Sequence, residues 1–233
     1  MPNMKLNTLY TSLLMMVLLM GCSAENSQKP EPAVESTEKQ AVATPDSSLR
    51  ILFLGDSITA GFGLGEDLAF PALLQAQITE SGYSAKVSNA GISGDTSTGG
   101  LARTDWLLQS KVDILVLELG GNDGLRGIDL SLTRSNLRGI VEKTQMAWPD
   151  VRIIMVGMII PPNLGHEYTR DFSAMYPELA TSLGTGFFPF TPENLEGILD
   201  SMQPDGIHPT EEGHRIIAAT LWKTLEPVVQ DLS

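Results

Sequence analysis

Cysteine is nearly absent from this chain: its 233 residues include one, Cys22. A lone cysteine excludes an internal disulfide and a cysteine-based zinc site. Histidine is scarce too, at three residues. That leaves little room for a His-rich metal centre and makes each histidine a candidate for a catalytic base. Positive charge is in deficit, with 15 Lys and Arg against 28 Asp and Glu, a net of −13. No local run of bases interrupts this acidity. Such a surface repels phosphate backbones, so nucleic acid is not an expected partner. Glycine (22) and proline (14) stay at modest levels, which rules out collagen-like and low-complexity chains. What is present is 42% hydrophobic and 18% charged residues, the balance of a chain that builds a core. The length suits one domain, or two small ones.

The N-terminus reads as an address. Lys5 is the only charge in the first twenty residues, and an apolar run from Leu13 to Met20 ends in Gly21-Cys22. A base followed by a short apolar stretch is a signal-peptide pattern. The run is short for a membrane span, which needs roughly 20 apolar residues. An ordinary secretory leader or an uncleaved anchor would share these features. A Cys placed directly after Gly21 also resembles a bacterial lipobox. That resemblance implies a lipoprotein signal peptide over residues 1–21 and a lipidated Cys22 as the first mature residue. The implied partner is a bacterial membrane, held through more than one acyl chain, since one chain alone binds only reversibly. Ser23 after the Cys, rather than Asp, implies the outer membrane facing the periplasm, and so a location in the cell envelope.

Ser23–Ser48 holds Ser, Thr, Glu, Gln, Ala and Pro with no Leu, Ile or aromatic residue. It cannot bury enough apolar surface to offset its ordering entropy. Residues 22–48 therefore read as a lipidated Cys and a disordered tether, with a reach on the order of 30 Å. The folded domain is expected over residues 49–233, long enough for a single core.

Within that domain apolar runs alternate with helical patterns. Strands are predicted at Arg50–Leu54, Ser84–Ser88, Val112–Leu119, Val151–Ile160 and Gly186–Phe190. Helices are predicted at Phe70–Glu80, Leu101–Leu108, Leu130–Trp148 and Tyr168–Leu183, the last interrupted at Pro177. A final helix opens at Thr210, with Glu211 and Glu212 in its first turn, and Pro227 follows it. Apolar strands separated by helices imply an α/β fold, a parallel sheet covered on both faces. Its functional residues should lie beyond the carboxyl ends of the strands.

Four segments there carry chemistry. Gly55-Asp56-Ser57-Ile58 puts a Ser directly after a strand, in a tight turn that can expose a nucleophilic hydroxyl. A helix N-cap is the bland alternative. A phosphate loop is another, although Gly61, Gly63 and Gly65 fit no dinucleotide or Walker spacing. Asn89–Thr96 carries two glycines whose backbone N–H groups could face a ligand, or simply makes a βα turn. Gly120-Gly121-Asn122-Asp123 offers a side-chain amide that could donate to a developing negative charge, or a Gly/Asn turn. Asp205-Gly-Ile-His208 sets a carboxylate three residues before a His, where it can hold Nδ1–H and leave Nε2 as base. The rival histidines are weaker. His166 has Asn163 three residues before it, and His214 pairs with Glu211 only as an exposed helical couple.

Taken together, Gly55-Asp56-Ser57-Ile58, Gly94, Gly121-Asn122-Asp123 and Asp205-x-x-His208 resemble the SGNH (GDSL-type) hydrolase superfamily, with Ile58 where Leu is more usual. Asn89-Ala-Gly-Ile-Ser-Gly-Asp-Thr96, Gly99-Gly-Leu-Ala-Arg103, Glu118–Gly127 and Tyr176-Pro-Glu-Leu-Ala180 are similar to its thioesterase-I-like arylesterase and lysophospholipase subgroup. The resemblance covers Leu49 to Pro227. It implies a three-layer α/β/α sandwich with a five-stranded parallel sheet, of flavodoxin-like type. It also implies a serine acyl hydrolase for esters, lysophospholipids or acyl thioesters that needs no metal or organic cofactor. Ser57 would be the nucleophile, His208 the base and Asp205 its orienting carboxylate. The oxyanion hole would be the backbone N–H of Ser57 and of Gly94 with the Asn122 amide, while Asp56 and Asp123 would be structural. The segment after the third strong strand would border the acyl groove, with Ile159, Pro161 and Asn163 against the substrate, unless Met158 and Ile159 are core. Two other readings remain open, a carbohydrate O-acetylesterase and a non-catalytic surface lipoprotein that binds.

Overall fold

The computed structural model describes residues 48–233. The leader, Cys22 and all of the tether but Ser48 lie outside the described residues. The apolar runs form five strands: β1 (Leu49–Gly55), β2 (Ala85–Gly91), β3 (Ile114–Glu118), β4 (Arg152–Val156) and β5 (Gly186–Phe188). They make one parallel sheet in the order β2-β1-β3-β4-β5. Around it run α1 (Ser57–Ala60), α2 (Phe70–Glu80), α3 (Ser97–Leu107), α4 (Gly121–Leu125), α5 (Leu130–Ala147), α6 (His166–Leu183) and α7 (Glu211–Leu232). α2 packs on α7, while α3 packs on α5 and α5 on α6, so helices cover both faces of the sheet. That coverage is why β3 is buried at every residue and why its Ile-Leu-Val-Leu run carries no alternation.

This strand order reverses direction at β1. The chain steps outward to β2, then returns across β1 to build β3, β4 and β5. A crevice forms where the strand order reverses, beyond the carboxyl ends of β1 and β3. Gly55 and Glu118, the last residues of those strands, are register partners. The Ser57 and Asn122 segments thus leave the sheet side by side, although they are far apart in sequence.

β2 is an edge strand, and it alternates between half-buried and exposed residues before both its last residues turn inward. A side chain covers part of its open edge: Gln75 on α2 donates Nε2–H to the Ala85 carbonyl (3.0 Å) and accepts the Val87 N–H (2.8 Å). β2 also runs three residues past Ser88. It absorbs Asn89-Ala90-Gly91, expected as a turn, because its pairing with β1 continues to Gly55.

β4 stops at Val156 rather than Ile160. Its last residue paired with β3 is Met155, beside Leu117, and Gly157 then bonds the Phe188 carbonyl (2.8 Å). Met158–Ile160 leave the sheet. Two prolines that looked like helix boundaries are internal. Pro177 cannot donate to the preceding turn, yet α6 continues because Phe172, Met175, Tyr176 and Leu179 form one buried stripe across it. Pro227 lies inside α7, where Trp222, Leu225 and Val229 continue the buried stripe on both sides of it. Apolar burial on each side offsets the proline penalty of about 3 kcal/mol.

His214 departs from its expected exposed pairing with Glu211. It is wholly buried, stacks on Phe70 and accepts the Phe70 N–H at Nδ1 (3.1 Å), whereas Glu211 pairs with Arg215. Nδ1 as acceptor puts the proton on Nε2, which has no partner among the described residues. Burial lowers its pKa to about 4 from the usual 6.5. The unfolded chain then binds the extra proton first, so stability should fall as pH drops from about 6.5 to about 4, by roughly 3 kcal/mol from this group. Urea unfolding at pH 7 and at pH 4.5 checks this: His214→Asn should lose less stability between the two than the unaltered protein does.

Candidate active site

Ser57 is the first residue of α1, directly after β1. Asp56 caps the helix by accepting the Ile58 N–H at Oδ1 (3.1 Å). The helix is a single turn, and its backbone lies against β2. A Cβ on Gly91 would stand 2.3 Å from the Ala60 nitrogen, so only glycine permits that approach.

The Ser57 hydroxyl lies 2.9 Å from His208 Nε2, and His208 Nδ1 lies 2.6 Å from Asp205 Oδ2. The other oxygen of Asp205 accepts the N–H groups of Ile207 (2.9 Å) and His208 (3.0 Å). Led by the His208 side-chain bond and followed by these backbone bonds, they hold the Asp205 carboxyl down to about 2. Asp205 is therefore an anion at neutral pH, and His208 is held with Nδ1–H toward it. The loop is pinned by Gln203, whose N–H bonds the His208 carbonyl (2.7 Å) and whose amide bonds the carbonyls of Phe62 and Pro209. The Phe62 ring lies over the imidazole, 4.3 Å between centroids.

Asn122, on α4, donates Nδ2–H to Asp56 Oδ2 (3.2 Å). Its second amide hydrogen is left to point elsewhere. Asp56 thus does more than cap α1: one carboxylate oxygen holds the turn that carries Ser57 and the other aims the Asn122 amide. Burial raises the Asp56 pKa to about 6. Asp123 is structural, as expected. It accepts Ser97 N–H (2.8 Å), Ser97 Oγ–H (2.5 Å) and Thr133 Oγ–H (3.1 Å), and so ties α3 and α5 to α4.

Gly94 lies exposed in the loop after β2, and its carbonyl accepts from Arg126 (3.0 Å), which links that loop to the end of α4. Arg103 fixes the base of the same loop through Asp95 (2.9 Å) and the carbonyls of Ala90 (2.7 Å) and Gly55 (3.0 Å).

Ser57, Asn122 and His208 share the wall of a cavity of about 460 Å³, within the range of small-ligand sites. Ile159 and Pro161 line it, as the sequence suggested, with Met158 beside them. Asn163 does not. It sits on the 3-10 turn Pro162–Leu164, exposed and outside the cavity lining. The peptide has by then turned away from the crevice. Other lining residues were missed: Phe190, read only as the end of the last strand, and Leu199 and Met202, from the stretch before Asp205. That stretch has no helical or strand period, and its only available signal was apolar residues in an otherwise polar loop. Glu118 was read as part of a strand and of the Glu118–Gly127 motif, with no role of its own, yet it is wholly buried beneath the Ser57 turn.

A hydroxyl, an imidazole and a carboxylate in line, with a directed amide beside them and an apolar cavity in front, can carry out acyl transfer. Known proteins of the same reaction class resemble this chain. Residues 53–216 match the GDSL-like Lipase/Acylhydrolase family. The chain is 37% identical over 214 residues to the esterase TesA of Pseudomonas aeruginosa, covering 91% of this chain and 98% of that one. It is 39% identical over 180 residues to the thioesterase 1/protease 1/lysophospholipase L1 of Escherichia coli, covering 77% and 84%. Among solved structures, the psychrotrophic esterase EstA from Pseudoalteromonas sp., inhibited by monoethylphosphonate, superposes with a TM-score of 0.72 at 31% identity, over 78% of this chain and 98% of that one. The chain belongs to the GDSL-like lipase/acylhydrolase family.

Proposed function

We propose that this acyl hydrolase cleaves carboxylic esters, monoacyl lipids and acyl thioesters among them, through an acyl-enzyme on Ser57. The observation that carries the reading is the Asp205–His208–Ser57 line opening directly into an apolar cavity. Ser57 Oγ attacks the carbonyl carbon while His208 Nε2 takes its proton. The C=O electron pair moves onto oxygen. Asp205 keeps Nδ1–H in place and stabilises the imidazolium. The tetrahedral oxyanion is held by the N–H groups of Ser57 and Gly94 and by the free amide hydrogen of Asn122. Collapse breaks the ester bond, and the leaving group departs with the proton from His208. A water deprotonated by His208 then repeats the attack and releases the acid. All these steps use groups of the chain itself. In the acyl-enzyme the acyl chain lies against Met158, Ile159 and Leu199.

The cavity favours this over the two other readings. A binding module has no use for a carboxylate–imidazole–hydroxyl line, and a sugar acetyl group would leave most of an apolar cavity of about 460 Å³ unfilled. Hydrolysis of a p-nitrophenyl ester series from acetate to palmitate tests the proposal. The expected result is a kcat/KM that rises from acetate into the medium chain lengths. Activity confined to acetylated sugars would select the acetylesterase instead.

Asn122→Ala should lower kcat by roughly a hundred- to a thousandfold and leave KM nearly unchanged, because its free hydrogen acts on charge that develops only in the transition state. Steady-state kinetics on the best ester checks this.

We also propose, from the sequence, that Cys22 is lipidated and anchors the domain to the outer membrane of a bacterial envelope, facing the periplasm. The apolar run ending in Gly21-Cys22 supports it. Incorporation of labelled palmitate into the full chain, lost in Cys22→Ser, is the corresponding test.

A further inference from the structure

Glu118 is a buried ionisable group to which the mechanism gives no task. Glu118 ends β3 and is enclosed under the Ser57 turn. Its Oε2 meets three donors: Thr59 Oγ1–H at 2.6 Å, Thr59 N–H at 3.3 Å and Asp56 N–H at 3.3 Å. These partners flank Ser57 on either side, so the side chain grips the turn from below. The grip depends on glycine at the end of β1, since a Cβ on Gly55 would fall 2.6 Å from Glu118 Oε2 and closer still to Thr59.

The surroundings do not suit an anion. Among the described residues Oε1 has no hydrogen-bond partner. Among the described residues no Lys, Arg or His bonds either oxygen. The Arg103 guanidinium, which reaches the neighbouring Gly55 carbonyl, is paired with Asp95. The other ionisable groups facing Glu118 are the Asp56 carboxyl on the β1–α1 turn and the Tyr176 phenol on α6, which donates to the Leu119 carbonyl (3.0 Å). A buried charge with one bare oxygen and no cation is strongly disfavoured. A neutral acid is not, because the short contact to Thr59 Oγ1 accommodates a proton donated in either direction.

We propose that Glu118 is a positioning residue that works as an uncharged carboxylic acid, fixing the Asp56–Thr59 turn while Asp56 alone carries the negative charge that aims Asn122. The proposal rests on the roles given above to Ser57 and Asn122. Two facts bear on the division of labour. Burial, followed by the nearness of Asp56, holds Glu118 well above the usual carboxyl range, while Asp56 is raised only to about 6. Asp56 therefore ionises first. There is also a mechanistic reason for neutrality. A second anion one peptide away from the Ser57 N–H would oppose the oxyanion forming there.

The test compares Glu118→Gln, Glu118→Ala and Thr59→Val in the full chain. Infrared difference spectra of the unaltered enzyme against Glu118→Gln at pH 7.5 should contain the carbonyl stretch of a protonated carboxylic acid. By then Asp56 is ionised and does not contribute. In kinetics, Glu118→Gln should keep kcat within about fivefold and keep the shape of the pH profile. Glu118→Ala should lose about ten- to a hundredfold in kcat with KM held within about twofold, and Thr59→Val should lose severalfold in the same parameter. Absence of the acid band, or a Gln variant as impaired as the Ala variant, overturns the neutral acid. Unchanged kcat in Glu118→Ala overturns the positioning role. Should the Ala variant fail to fold, the infrared band and the Gln and Val variants still decide. Phosphonate labelling of Ser57 in the unaltered enzyme, located by mass spectrometry, is read separately: its failure would overturn the nucleophile assignment and leave the state of Glu118 measured on its own.

Discussion

Ser57→Ala is expected to reduce kcat for ester hydrolysis by roughly 10⁴- to 10⁶-fold. Among the described residues its Oγ is the only hydroxyl bonded to His208 Nε2. Removing it abolishes the covalent route and leaves what the oxyanion hole and substrate binding contribute by themselves. The fold should survive. Among the described residues the Ser57 side chain bonds only His208, and the cap on α1 comes from Asp56. Two measurements make the result specific. The thermal unfolding midpoint should stay close to that of the unaltered protein. Rapid quenching with a slowly deacylating ester should trap an acyl group on Ser57 in the unaltered enzyme and none in the variant. Hydrolysis persisting within tenfold would remove Ser57 from the chemistry.

Asp205→Asn should cost about ten-thousandfold in kcat while KM stays nearly constant. The carboxylate has two duties that separate cleanly. Oδ1 accepts two backbone N–H groups and shapes the loop, a duty that an Asn carbonyl oxygen can take over. Oδ2 accepts from His208 Nδ1. An Asn amide there would donate instead, and would turn the imidazole to the tautomer whose Nε2 carries a proton and cannot accept one from Ser57. The loop stays and the base is lost. Because the Asp205 pKa is lowered to about 2, its ionised form persists across the working range. Any stabilisation it gives is present above about pH 3.8 and lost as pH falls toward 2. An acid limb of the activity profile near pH 6 therefore belongs to other groups, Asp56 among them. Pre-steady-state kinetics from pH 5 to pH 9 distinguishes these cases, since Asp205→Asn should lower the acylation rate at every pH.

The sequence pattern carried those parts of the molecule that local rules control. β1 and α2 were legible because Arg50–Leu54 is an apolar run ending in glycine and because Phe70–Glu80 sets Leu73, Leu74 and Ile78 at helical spacing with Gly82 beyond its end. Asp205 and His208 were legible because their pairing is made three residues apart. What escaped the pattern depends on distant partners. Glu118 meets donors 59 and 62 residues away, and His214 is buried against Phe70, 144 residues away. No periodicity reports such a meeting. Pro177 and Pro227 misled for the same reason: a proline ends an isolated helix, but apolar burial on both sides carries the helix through it. Asn163 was placed against the substrate by the family resemblance, and the 3-10 turn on which it sits, outside the cavity lining, has no sequence period.

The side chain of Gln75 has a consequence for how many copies of this domain can share a small volume. A parallel sheet ends in edges whose unpaired N–H and C=O groups can recruit a strand from another molecule. At β2, Gln75 stands where such a strand would bond, offering one carbonyl and one N–H to Ala85 and Val87 as a neighbouring peptide would. The opposite edge, β5, is only three residues long. An incoming chain thus finds two outward groups of β2 already bonded, and only three residues to pair with at β5. A residue far from the chemistry therefore lowers the tendency of the β2 edge to pair with a second copy when the domain is concentrated.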